Sequence, residues 1–290
     1  MPVLLLLSVT AVWGSTFVVV QDAVEQMPIH PFLTWRFALA TLVMLLLRPR
    51  AVFALPPDML GKGFVAGLAL AGGYFAQTLG LAMNVSPTVS GFITGMFVVF
   101  TPLVTAALFH ARVPRITWVA VALATAGLGL LSLNGFSVGV GEVVTLSCAV
   151  LFAFHIVFLA RWSRAEHAYG LTVLQLATVA GIEASVTLAR SEVTMPTSPT
   201  LWVSIGFLAL FATAYGFVVQ TWAQSHMSAT RAAVIMTTEP VFAGIAGVMT
   251  GDQLTVRIVC GAALVLIAMY AVELGPRTQR EPEVIAEPVH

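Results

Sequence analysis

Charge is what this sequence has least of. Only 9% of its 290 residues are Asp, Glu, Lys or Arg, where soluble domains carry about a quarter. By contrast 59% are hydrophobic, and the mean hydropathy is +0.96. A chain this poor in charge has too little polar surface to dress a soluble core. Apolar runs near the ~20 residues needed to cross a bilayer recur from end to end, which leaves no stretch for a sizeable soluble domain. The formal net charge is zero, which gives no reason to expect nucleic acid or any strongly charged macromolecule as a partner. Cysteine is nearly absent too. Cys148 and Cys260 both fall inside apolar runs without CxxC or metal-like spacing, so they read as small core residues. Also missing are HExxH, a GxSxG elbow, a carboxylate cluster and the phosphate-binding GxxxxGK[ST]. Without them a membrane-embedded enzyme and an ATP-driven pump lack their chemistry, and no cofactor is expected.

What is there is an all-α membrane protein. Charged, proline and glycine punctuation divides the chain into ten expected transmembrane helices, near 3–21, 32–47, 61–82, 88–110, 115–133, 140–160, 170–189, 200–222, 231–250 and 255–274. The first run follows no basic segment, and "AVWGSTF" within it is no convincing peptidase site, so it is expected to be retained as a helix. The polar, proline-bearing tail "RTQREPEVIAEPVH" is expected to be disordered. Basic residues concentrate on the cytoplasmic side of the bilayer. With the N-terminus inside, Arg48, Arg50, Lys62, Arg112, Arg115, Arg161, Arg164, Arg231, Arg277 and Arg280 fall there, ten of the thirteen Lys and Arg residues. Both termini are therefore expected to be cytoplasmic.

The third and fourth spans resemble the eighth and ninth. "GYFAQT" at 73–78 aligns with "GFVVQT" at 216–221, and "SPTVSGFITGMFVVF" from Ser86 aligns with "SATRAAVIMTTEPVF" from Ser228. Five helices repeated in one chain enter the membrane the opposite way the second time, so the expected architecture is a 5+5 inverted repeat. Its halves are residues 1–138 and 139–275, with 276–290 as the tail. Inverted repeats are the architecture of many secondary transporters, with a substrate site near the midplane between the halves. A channel would want a ring of like residues from several chains, whereas here one chain carries both halves, and the expected unit is a monomer.

"WGSTF" in the first helix, "GYFAQTLGLAMNVSPTVSGFITGMFVVFTPLV" across the third and fourth, and "SATRAAVIMTTEPVFAGIAGVMTGDQLT" in the ninth resemble the drug/metabolite transporter superfamily. Within it, the chain resembles the ten-helix EamA-type exporters, including bacterial amino-acid exporters. One departure is "HARVPR" after the fourth helix, where such proteins usually carry an acidic loop. The resemblance implies an inner-membrane exporter of amino acids, neutral or aromatic, or of similar small metabolites.

Glu239, in "VIMTTEPVFAG", stands out among the candidate site residues. Some eight helical residues after Arg231 place it roughly 12 Å in from the cytoplasmic edge, and an ion in hydrocarbon costs from about 3 to more than 10 kcal/mol unless something relieves it. It reads as a protonatable coupling site, as a partner for a substrate amine, or as a carboxyl that repairs backbone freed by Pro240. His155, in the sixth helix at the repeat-equivalent of Thr16, fits either proton handling or a hydrogen-bonded core. Arg36 and Glu183 are expected at the periphery, with Arg36 snorkelling outward. Trp13, Ser15 and Thr16 in the first helix, Tyr74, Gln77 and Thr78 in the third, Thr94 and Met96 in the fourth, and Tyr215, Gln220 and Trp222 in the eighth are candidates to line a cavity. The alternative for each is ordinary packing between helices. Amides, hydroxyls and aromatics with few charges suit a neutral or zwitterionic small molecule.

Overall fold

The computed structural model describes residues 2–109, 115–134, 137–227, 229–236 and 238–274. The expected tail, and residues 110–114 of "HARVPR", lie outside the described residues. Helices account for nearly all of the rest, joined by one short ladder in which Leu133–Asn134 pairs with Ser137–Val138. The helices are α1 Pro2–Gln26, α2 Ile29–Leu47, α3 Pro57–Ala82, α4 Pro87–Gly95, α5 Phe97–Phe109, α6 Arg115–Ser132 and α7 Val140–Trp162. After them come α8 Ala168–Ala189, α9 Pro199–Phe207, α10 Gly216–Gln224, α11 Ala229–Met236, α12 Glu239–Met249 and α13 Val256–Leu274. Seven continuous or nearly continuous segments are long and apolar enough to cross a bilayer: Pro2–Gln26, Ile29–Leu47, Pro57–Ala82, Pro87–Phe109, Val140–Trp162, Ala165–Ala189 and Pro199–Gln224. Arg115–Gly127, Glu239–Met249 and Val256–Ala271 are apolar but shorter.

Local chemistry sets the ends. Ser86 and Ser198 cap α4 and α9, each accepting from the backbone N–H three residues on (Val89, 3.3 Å; Leu201, 3.1 Å), with proline at the next position. Proline is harmless there because the first-turn N–H has no helical partner. After α12 the chain turns at Gly251 with φ +117°, a left-handed conformation that favours glycine. Asp252 then accepts from the free Thr88 N–H in the first turn of α4 at 3.0 Å. Through this bond "GDQLT" joins the end of α12 to the start of α4.

Three of the expected spans are not continuous. The fourth breaks at Met96 between α4 and α5, and the ninth breaks between α11 and α12 just before Glu239. Each break contains a tight i→i+3 turn, Met96 N to Ile93 O at 3.1 Å and Thr238 N to Ile235 O at 3.3 Å. The eighth widens into a π-helix over Leu208–Tyr215 between α9 and α10. Hydropathy records apolarity and is blind to such changes of hydrogen-bond spacing, so the sequence reads through them.

The core forms where these elements cross. α3 packs along α7 and α8, α1 and α4 pack against α12, α2 against α8, and α6 against α13. Two glycines permit close crossings at the start of α12. A Cβ on Gly14 would stand 2.5 Å from the carbonyl oxygen of Glu239 and 2.8 Å from the Ala243 nitrogen, and one on Gly95 would overlap the Pro240 ring. The first turn of α12 is thus seated directly between α1 and α4. Cys148 is buried, as expected, whereas Cys260 is exposed on α13.

Candidate functional site

The broken helices meet the continuous ones around a central cavity of about 40 Å³, room for about three waters. α1 contributes Trp13, Thr16, Phe17 and Val20, and α2 contributes Arg36. From α3 come Leu70, Tyr74, Gln77 and Leu81, and from α7 come Phe152, His155 and Ile156. Phe217 and Gln220 of α10 and Met236 of α11 complete the wall, together with Phe97 and Glu239, the first residues of α5 and α12.

Tyr74 stands at the centre of an aromatic cluster. Its ring meets Phe37, Phe152 and Phe217 edge-on, with centroids 4.9, 5.5 and 5.9 Å away. The Arg36 guanidinium lies 4.7 Å from the Tyr74 centroid, and its Nε donates to Thr213 Oγ1 at 2.9 Å. Its Nη2 reaches the Tyr74 hydroxyl only at 3.5 Å. Trp13 Nε1 donates to the Ala212 carbonyl at 2.6 Å. That carbonyl lies in the π-helix, whose altered spacing turns backbone acceptors toward side chains. His155 Nε2 is 2.6 Å from Gln175 Oε1, while Gln175 Nε2 donates to the Leu171 carbonyl at 3.1 Å. An amide oxygen only accepts, so this arrangement puts the imidazole proton on Nε2.

Glu239 is only 5% exposed and is turned into the cavity. Pro240 occupies the first turn of α12, where its missing N–H interrupts no ladder. Among the described residues no hydrogen bond links the Glu239 carboxylate to backbone, so the repair of freed backbone is not its observed work. The dipole of α12 instead favours a negative charge at its first residue, by about 0.3–1 kcal/mol at an exposed helix end and more in partly buried geometry.

Seven of the thirteen expected site residues line this cavity: Trp13, Thr16, Tyr74, Gln77, His155, Gln220 and Glu239. The other six do not. Ser15 faces outward and donates to the Val12 carbonyl, since two residues along a helix from Trp13 is about 200° round it. Thr78 is buried on the face next to Gln77, without a partner. Thr94 sits behind the wall, accepting from Gln77 Nε2 at 3.3 Å and touching Cys148 Sγ at 3.5 Å. Met96 is buried at the helix break. Tyr215 is 37% exposed and hydrogen-bonds Ser8, and Trp222 packs on His226 instead. Tyr215 faces outward, and Trp222 is half-buried against the core outside the cavity.

Arg36 requires the opposite correction. It is 2% exposed and lines the cavity, because Thr213 and the Tyr74 ring hold it inward where snorkelling would have carried it out. A guanidinium eight residues into a 19-residue apolar helix was the signal for this. Phe97, Phe152, Phe217 and Met236 were also missed, since apolar side chains in apolar helices carry no distinguishing mark. Glu183 is buried away from the cavity, 2.7 Å from His30 Nδ1. Among the described residues no three His, Cys, Asp or Glu side chains gather as a metal site would require.

Comparison with known proteins places these features in context. The sequence matches the EamA-like transporter family twice, over residues 1–133 and 139–274. It is 31% identical over 275 residues to an uncharacterized transporter of Archaeoglobus fulgidus, covering 92% of this chain and 83% of that protein. It is 24% identical over 269 residues to the uncharacterized inner membrane transporter YedA of Escherichia coli strain K12, covering 91% and 88%. A solved crystal structure shares the fold with a TM-score of 0.69 at 17% identity, over 94% of this chain and 96% of that one.

Proposed function

Because the chain belongs to the EamA-like transporter family, and is a multi-pass membrane protein, we propose that it exports neutral or aromatic amino acids, or similar small metabolites, across the inner membrane by alternating access. In this reading ten spans form two inverted halves, residues 1–138 and 139–275, with both termini and the tail 276–290 in the cytoplasm.

The observation that carries the reading is the pairing of the cavity wall. Under the repeat, Trp13 corresponds to Phe152, Thr16 to His155, Phe17 to Ile156, Tyr74 to Phe217, Gln77 to Gln220 and Phe97 to Glu239, and every one of these residues faces the cavity. The helix packing supports the same relation. α3 lies on α7 as α10 lies on α1, α5 lies on α7 as α12 lies on α1, and α4 lies on α7 as α11 lies on α1. The pairs α2 with α8 and α6 with α13 are their own counterparts, as a two-fold between halves demands. Even the helix breaks correspond, Met96 with Thr238. A wall shared evenly by two such halves has two near-equivalent ways to part, one toward each face. A cavity of about 40 Å³ must enlarge to hold any organic solute, since small-molecule sites measure about 300–1,000 Å³.

Counterflow in proteoliposomes against an amino-acid panel, with and without a pH gradient, tests the reading. Accumulation of at least one labelled amino acid is expected, whereas no flux of any amino acid or metabolite in either direction would refute it.

A further inference from the structure

A basic and an acidic side chain, Arg36 and Glu239, face the same cavity without pairing among the described residues. Arg36 presents five N–H donors. One is engaged with Thr213 and a second reaches weakly toward Tyr74, so three have no partner among the described residues. Glu239 accepts no hydrogen bond and joins no ion pair among the described residues, and the nearby Gln220 Oε1 is a buried acceptor without a partner. Stacking on Tyr74 and the bond to Thr213 fix the guanidinium in place, so the two charges do not collapse onto each other. A buried ion without a counter-ion is strongly unfavourable, and here unused donors and unused acceptors border one space.

We propose that the two charges are separate anchors for a single zwitterion: Arg36 receives the carboxylate of an α-amino acid, and Glu239 with Gln220 Oε1 receives its ammonium. The planar guanidinium suits a carboxylate, which it can bind through two parallel N–H groups. Trp13, Tyr74 and Phe217, which line the same cavity, then border the substrate side chain, which favours apolar or aromatic ones. An amine without a carboxylate leaves Arg36 unmatched, and a phosphorylated solute brings excess negative charge to Glu239. The site therefore selects by requiring both ends of the ligand at once.

The inference rests on the proposed reading of this cavity as the substrate site, and two readouts separate the two claims. Binding is measured by calorimetry on the purified full-length protein, and flux by counterflow after reconstitution. The probes are phenylalanine, leucine and threonine, each as the free amino acid, the amide and the N-acetyl derivative. At least one free amino acid should bind more than ~10-fold tighter than either of its derivatives, as expected when buried polar groups are left unmatched. Arg36→Gln should weaken the free amino acid more than ~10-fold while leaving the amide within ~3-fold, and Glu239→Gln should do the same with the N-acetyl form as the insensitive ligand. Equal binding of the free, amide and N-acetyl forms by the wild-type protein overturns the assignment, as does binding of none of the probes. The wild-type comparison decides the matter even if neither variant folds. Discrimination in binding without flux would sink transport and leave the anchors standing, whereas flux without discrimination would do the reverse.

Discussion

At Gly14 the available space decides what the residue must be. A Cβ there meets backbone of α12 and the Phe242 Cβ at 2.6 Å, and no rotamer change can relieve such contacts. Gly14→Ala should therefore destabilise the protein by about 1–3 kcal/mol, read as a lower melting temperature in detergent. Gly181→Ala is the control. Nothing lies within 4 Å of a Cβ at that helical site, so stability should hold or rise by about 0.5–1 kcal/mol. Trp13→Phe keeps the ring but removes the hydrogen bond to the Ala212 carbonyl, which should cost about 0.5–1.5 kcal/mol, again as a melting shift. "WGST" was legible in the sequence as a marked stretch, yet its glycine works by clearance and its tryptophan by a hydrogen bond to a helix seven spans later. Neither partner can be read from the motif itself. Glu239 was legible because a carboxylate in an apolar run is conspicuous. Arg36 was equally conspicuous and was misplaced, because distance from a helix end says nothing about which way a side chain turns.

The all-helical character and many of the helix ends were legible, since punctuation by proline, glycine and charge does mark where helices stop. Their interruptions were not. Pro240 reads in the sequence as a kink in mid-helix, whereas it opens α12 after a break. The break is held to α1 by a 2.7 Å hydrogen bond between the Thr10 and Thr238 hydroxyls, in which one donates to the other while the second gives its proton to the nearby Leu7 or Ile235 carbonyl. If the α1 contact must part for the cavity to open, joining these two positions should arrest the cycle. Thr10→Cys with Thr238→Cys, oxidised to a disulfide, should abolish counterflow and regain it on reduction. Undiminished flux in the cross-linked protein would remove this break from the moving parts. The joint made by Asp252 at the start of α4 predicts a milder effect. Asp252→Ala frees the Thr88 N–H and should lower stability by about 0.5–2 kcal/mol, the usual effect of losing a helix cap, as a melting shift.

Over the whole molecule, the proposed correspondence between halves is drawn from sequence, packing and the cavity wall, and it fails chemically at one pair, Phe97 against Glu239. In the proposed mechanism two near-equivalent halves supply the two openings, and the unequal pair gives the centre its carboxylate. The repeat was visible in the sequence only where polar residues punctuated it, as with Gln77 and Gln220. The aromatic correspondence of Trp13 with Phe152 emerges only when the folded chain brings both to one wall. The most direct test of this account is the sidedness of that wall. Gln77→Cys and Gln220→Cys, each in a background with Cys148→Ala and Cys260→Ala, would be exposed in oriented vesicles to a membrane-impermeant thiol reagent from either face, with and without a transported amino acid. Alternating access predicts that both positions react from both faces, and that substrate raises labelling from one face as it lowers labelling from the other. Reaction from a single face under every substrate condition would contradict it.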